Sequence, residues 1–124
     1  MATYHPKDIE PYEKERKKKG LNTDYKVISH TWEYGVDMVV PFEGSSGSSA
    51  MLGSLASIEL GFKKIVLCGC PLEGKNNRNY PYTSFRKGWE DRINNVKDLV
   101  RSMSGWTKDL LGPPDPDWLT SERR

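Results

Sequence analysis

The chain has 124 residues, 35% of them hydrophobic and 29% charged, which suits one domain with a modest core and a well-solvated surface. A net charge of +2 argues against a dedicated binder of nucleic-acid duplexes, whose surfaces concentrate much more positive charge. No apolar run approaches membrane-spanning length and the opening Met-Ala-Thr-Tyr-His-Pro is not a signal peptide, so the expected setting is the cytoplasm, away from membranes.

Residues 2–5 are β-prone and stop at Pro6, which predicts a strand. Residues 7–19 predict a highly charged helix capped by Asp8 and ended by Gly20, with Ile9, Tyr12 and the stem of Arg16 on one face. Its basic end, residues 16–19, reads as a solvated helix terminus that complements the dipole. Residues 25–30 predict the next strand, with Ser29 and His30 at its carboxyl end. Residues 36–42 are again β-rich, but the connection before them is too short for a helical crossover, which marks an edge strand or an extended segment.

The central stretch runs from Gly44 to Cys70. Residues 44–49 contain only Gly and Ser. The predicted helix 48–60 carries one charge, Glu59, and places Met51, Leu55 and Ile58 beside Leu52, Ala56 and Leu60. A helix this poor in charge is covered on most sides. Residues 65–67 are apolar on both faces, as in a central parallel strand. Residues 72–83 form a Gly-, Asn- and Pro-rich loop long enough for a lid. Ser84 caps a predicted helix over 85–96, residues 99–103 predict a short strand, and 106–111 a short helix ended by Gly112 and Pro113. Residues 1–112 are thus the expected domain. The Pro-rich tail 113–124 is expected to dock through Trp118 and Leu119 on the body or on a partner subunit.

Alternating strands and helices imply an α/β fold, a mostly parallel sheet with helices on both faces. Ligands of such sheets bind outside the carboxyl ends of the strands. His5, His30, the Gly/Ser run, then Gly69, Cys70 and Pro71, and finally Ser102, Met103 and Ser104 all fall at that edge. A Gly/Ser run alone reads as a linker; set directly before an apolar helix, it reads as an ordered loop. Its small residues let an anion approach the free N–H groups of the helix start, which makes Ser45, Ser46, Gly47, Ser48 and Ser49 candidate phosphate contacts.

The order Gly44-Ser-Ser-Gly, then Glu59-Leu-Gly-Phe-Lys-Lys-Ile-Val-Leu-Cys-Gly69, resembles the second half of the Rossmann-like domain of bacterial sialyltransferases and of the archaeal 6-hydroxymethylpterin diphosphokinase group. The whole chain, with its segments 3–6 and 101–107, also resembles small bacteriophage proteins, whose setting is the cytoplasm of the infected host. The resemblance implies a Rossmann-like three-layer sandwich, shortened at its N-terminus by one βα unit. It also implies a nucleotide lying against Ser45, Ser46, Gly47 and Ser48. No residue matches the relatives' catalytic base.

His5 and His30 are candidates for a general base or a phosphate contact; the alternative is a histidine satisfied by backbone groups at the sheet edge. Tyr80, Tyr82 and Arg86 are candidates for a lid that stacks a base or pairs with a phosphate. Cys68 and Cys70 lack a second ligand pair and read as reduced thiols without metal or disulfide. No cofactor is expected. The expected partner is a nucleotide or nucleotide sugar, used by a reduced transferase or held by a non-catalytic phage protein that sequesters a host nucleotide signal. A third class is an assembly protein without ligand. A small domain with an exposed tail is expected to form a homo-oligomer, most simply a two-fold dimer.

Overall fold

The computed structural model describes residues 1–40, 47–73 and 82–122. It is an α/β protein built on short parallel strands. The first sheet has the order β1 (Ala2–Thr3), β2 (Ile28–Ser29), β3 (Met38–Val39), with Ala2 opposite Ile28 and Ile28 opposite Met38. The second pairs β4 (Ile65–Leu67) with β5 (Val100–Ser102), Ile65 opposite Val100. No described helix is long and apolar enough to cross a membrane.

The third strand is parallel to its neighbour although residues 30–37 carry no helix. Short strands explain this. At about 3.3 Å per residue, the chain has little length to retrace before it pairs again. The strand is nevertheless the outer one of its sheet, as its short connection predicts.

A 3-10 turn, Pro6–Asp8, leads into α1 (Ile9–Lys18). Ile9 is its one buried residue. Arg16 lies over the rings of Tyr12 and Tyr25, at 5.7 and 5.5 Å from the centroids, and donates from Nε to the Asn22 carbonyl at 2.7 Å. The rest of the helix is solvated, with exposed Glu10–Lys14 and Glu15–Lys19 pairs one turn apart.

The helix α2 (Ser48–Glu59) joins the two sheets. Leu52 and Ala56 pack with Ile28 and Val40 of the first sheet, while Met51 packs with Leu67, Trp89, Val96 and Val100. Leu55 reaches both groups. Ser54 and Ser57 do not spoil this apolar setting, because their hydroxyls donate to the Ala50 and Gly53 carbonyls at 2.8 Å. Leu60 follows the helix and is 59% exposed.

One strand differs from its sequence reading. Among the described residues β4 is hydrogen-bonded to β5 alone, and Val66 is 37% exposed. Alternate residues face opposite ways, so Ile65 and Leu67 turn to the core and Val66 away from it. The helix predicted over 85–96 is two helices, α3 (Tyr82–Asp91) and α4 (Ile93–Val96). The break is at Arg92, which leaves helical geometry at φ −112° and donates back to the Gly88 carbonyl at 3.1 Å.

After β5 come α5 (Gly105–Leu111) and α6 (Pro116–Thr120). The Asp115 carboxylate accepts the Trp118 N–H at 2.8 Å and Pro116 occupies the first position, a preferred helix start. Trp118 is buried, donates from Nε1 to the Asp98 carbonyl at 3.2 Å and lies under Arg101. Lys64 donates to the carbonyls of Leu119 and Ser121. Leu119 docks by its backbone only; its side chain is 48% exposed.

Candidate functional site

The carboxyl ends of β1 and β2 are tied together by one hydroxyl. Ser29 is fully buried and its Oγ donates to the Thr3 carbonyl at 2.7 Å. The same Oγ lies 3.5 Å from Nδ1 of His30. The chain leaves β1 through Tyr4 and His5. The His5 N–H donates to Thr3 Oγ1 at 2.9 Å, and its carbonyl accepts from Asp8 at 2.9 Å. These bonds bring His5 and His30 to one cavity of about 360 Å³, lined also by Tyr4, Pro6, Lys7, Asp8, Thr31 and Glu33. A smaller cavity of about 170 Å³ on the far side shares His5 and Asp8.

Tyr4 forms the inner wall. Its ring meets that of His30 at 5.0 Å between centroids, tilted by 49°. Burial pushes the phenol well above its ordinary range, and the nearby Arg92 guanidinium opposes this only in part, so the hydroxyl keeps its proton. Arg92 is anchored on the Gly88 carbonyl. The carbon of that carbonyl is also what a Cβ on Gly47 would meet, at 3.5 Å. Gly88 therefore lies against both Arg92 and the start of α2.

At that start Gly47 and Ser48 are both left-handed, at φ +61° and +75°, and Gly47, at the N-cap position, brings no capping side chain. Gly47 is buried; a Cβ there would lie 2.8 Å from Met51 Cβ. Ser48 is half-buried and Ser49 exposed. Ser45 and Ser46 lie outside the described residues, as does Tyr80.

The ends of β4 and β5 meet differently. Thr107 Oγ1 donates to the Cys70 carbonyl at 2.6 Å, and the Ser102 hydroxyl donates to Thr107 at 2.7 Å; both side chains are fully buried. Gly105, at φ +71°, sits directly on Pro71. Cys68, Gly69 and Met103 are exposed, while Cys70, Pro71 and Ser104 are half-buried. Burial, helped by the neighbouring Cys68, pushes the Cys70 thiol up. Tyr82 packs edge-on against Phe85, and Arg86 donates from Nε to the Leu72 carbonyl at 2.9 Å beneath Trp106. Arg86 thus ties the Leu72 backbone to α3 and to Trp106 of α5.

Sequence reading placed the two histidines at one edge but overlooked Tyr4, Lys7, Asp8, Glu33 and Arg92. The first strand ends at Thr3, so the residues after it already belong to the site. Lys7 and Asp8 read as helix start because the 3-10 turn and α1 form one charged run. Glu33 sits in a connection without periodic pattern, and nothing local marks Arg92. Comparison of the chain with protein-family models, curated proteins and solved structures finds no match.

Proposed function

We propose that this protein binds a phosphate-bearing nucleotide or nucleotide sugar at the carboxyl edge of its parallel strands, in a Rossmann-like arrangement. The observation that carries the reading is the one cavity at the carboxyl ends of β1 and β2 that His5 and His30 both line, with Lys7 beside them. A helix start with glycine at its N-cap lets a phosphate approach the first N–H groups closely. Lys7 adds positive charge to the cavity. The cavity, at about 360 Å³, has the size of a small-molecule site and mixes donors with acceptors, as a sugar requires. The phosphate is assigned to residues 45–49 and the rest of the ligand to the cavity.

Two roles fit this site. In a transferase, His5 or His30 serves as general base. In a non-catalytic binder, such as a phage protein that sequesters a nucleotide signal, the same side chains only hold the ligand. Thermal-shift titration against mono-, di- and cyclic nucleotides and nucleotide sugars tests binding, and release of product from a stabilising nucleotide sugar tests transfer. Stabilisation without turnover identifies the binder; a panel without any stabilising member overturns the reading. The protein is further proposed to be a two-fold dimer. Leu60 and Phe62 are 59% and 60% exposed, close in sequence to the exposed Val66, and Leu60 borders an apolar hollow with Ile28 and Met38.

A further inference from the structure

His5 and Asp8 line both the histidine cavity and the smaller one of about 170 Å³. The 3-10 turn ties the two residues together, since the Asp8 N–H donates to the His5 carbonyl at 2.9 Å. Both are exposed, so the wall they form stands at the surface and one ligand can lie across it. Among the described residues neither side chain has a hydrogen-bond or ion-pair partner.

The two cavities differ in chemistry. The larger adds His30, Lys7, Thr31 and Glu33 to this wall, all of them polar. The smaller adds Met1, Thr3, Ile9 and Tyr12, three of them large and mainly apolar. These residues are held in place. Ile9 is 2% exposed and is backed by Gly35, where a Cβ would lie 3.1 Å from its Cγ2. The Ile28 N–H donates to the Met1 carbonyl at 2.7 Å. Tyr12 carries the Arg16 guanidinium 5.7 Å from its ring centroid, and Arg16 is itself anchored on the Asn22 carbonyl. The smaller cavity therefore combines apolar surface with one unpartnered carboxylate, that of Asp8. Its volume lies below the roughly 300 Å³ at which whole small-molecule sites begin, which suits a subsite for a single ring system.

A ring that fits such a subsite is apolar on its faces and presents N–H donors at its edge. Guanine does so: its N1–H and 2-amino group are adjacent donors that a carboxylate accepts as a pair. Adenine offers only its 6-amino group. We propose that the smaller cavity is the base subsite of the ligand and that Asp8 selects guanine in it. The inference rests on the nucleotide reading above and gives the ligand its direction. Its sugar stays on the side of His30 and Lys7, and its base crosses the His5–Asp8 wall to lie against Tyr12 and Ile9.

Calorimetric titration of the full chain with guanosine 5′-monophosphate, adenosine 5′-monophosphate and ribose 5-phosphate tests this. The paired donors predict that the guanine nucleotide binds about tenfold or more tightly than the adenine one. Asp8→Asn should bring the guanine nucleotide down to the level of the adenine one and leave ribose 5-phosphate no weaker. Asparagine suits a helix start and the position is exposed, so this variant keeps the fold. Tyr12→Ala should weaken both nucleotides, by about tenfold if the base rests on the ring, and spare ribose 5-phosphate. Equal binding of the two nucleotides by the wild type, or a guanine preference that survives Asp8→Asn, overturns the subsite and leaves the nucleotide reading standing. If none of the three probes binds the wild type, the subsite falls, and the nucleotide reading falls with it only when the wider nucleotide panel is also silent.

Discussion

The imidazole of His30 leans on the ring of Tyr4, 5.0 Å away between centroids, and each belongs to the end of a different strand. Tyr4 also packs on the core group of Ile28, Val40, Leu52 and Ala56, and its burial holds the phenol above the ordinary range. In the unfolded chain the same phenol titrates near its reference value of about 10. Below that pH both states keep the proton and the group adds no pH dependence. Above it the unfolded state binds fewer protons, so stability falls as pH rises. Urea unfolding between pH 9 and 11 should show a steeper loss for the wild type than for Tyr4→Phe. Equal losses would mean that the phenol is not buried.

Gly105 makes the closest approach in the second sheet. A Cβ there would stand 2.3 Å from Pro71 Cβ, on a backbone at φ +71°. Gly105→Ala should cost about 1–2 kcal/mol for the left-handed backbone and roughly 1–3 kcal/mol more for the displaced proline. Chemical denaturation measures this. A change below about 0.5 kcal/mol, the usual range for surface substitutions, would show that the two loops are not clasped.

The linking helix gives a graded prediction. Leu52 is fully buried and Leu60 is 59% exposed. Leu52→Ala should lose about 2–5 kcal/mol, as buried leucines do. Leu52→Asp should not fold, because an unpaired carboxylate in an apolar core costs more than the stability of a small domain allows. Leu60→Asp should leave the unfolding midpoint nearly unchanged. The reverse order would place the other face of α2 in the core.

The exposed group around Phe62 predicts self-association. Light scattering at high micromolar concentration should give a dimer mass, and Phe62→Asp should return the monomer mass. A monomer mass for the wild type would remove the proposed dimer.

Much of the backbone plan was legible in the chain. Glu59 as the single charge of helix 48–60 announced its burial, and the β-rich runs marked the strands. What the sequence did not show depended on distance. The second face of 65–67 is apolar at Val66, yet that side chain is 37% exposed, because apolarity records preference and not coverage. Ser102 reads as a ligand donor at a strand end, but its hydroxyl bonds to Thr107, a partner outside the strand. Arg92 is bonded to Gly88, and only folding brings its charge near Tyr4. The two histidines were legible because strand ends of a parallel sheet share an edge by topology alone.

The site itself is tested most directly by calorimetric titration of wild type, Lys7→Ala and His30→Ala with the nucleotide or nucleotide sugar that most stabilises the protein. Lys7 is exposed, so Lys7→Ala should keep the wild-type unfolding midpoint, while the His30→Ala affinity is read well below that variant's own midpoint. The account predicts one binding site in the wild type and, for Lys7→Ala, an affinity loss of about 1.5–3 kcal/mol, the range for a hydrogen bond to a charged group. His30→Ala should lose roughly 0.5–1.5 kcal/mol if its contact is neutral. Binding by both variants as tight as the wild type's, or no binding by any member of the panel, would contradict it.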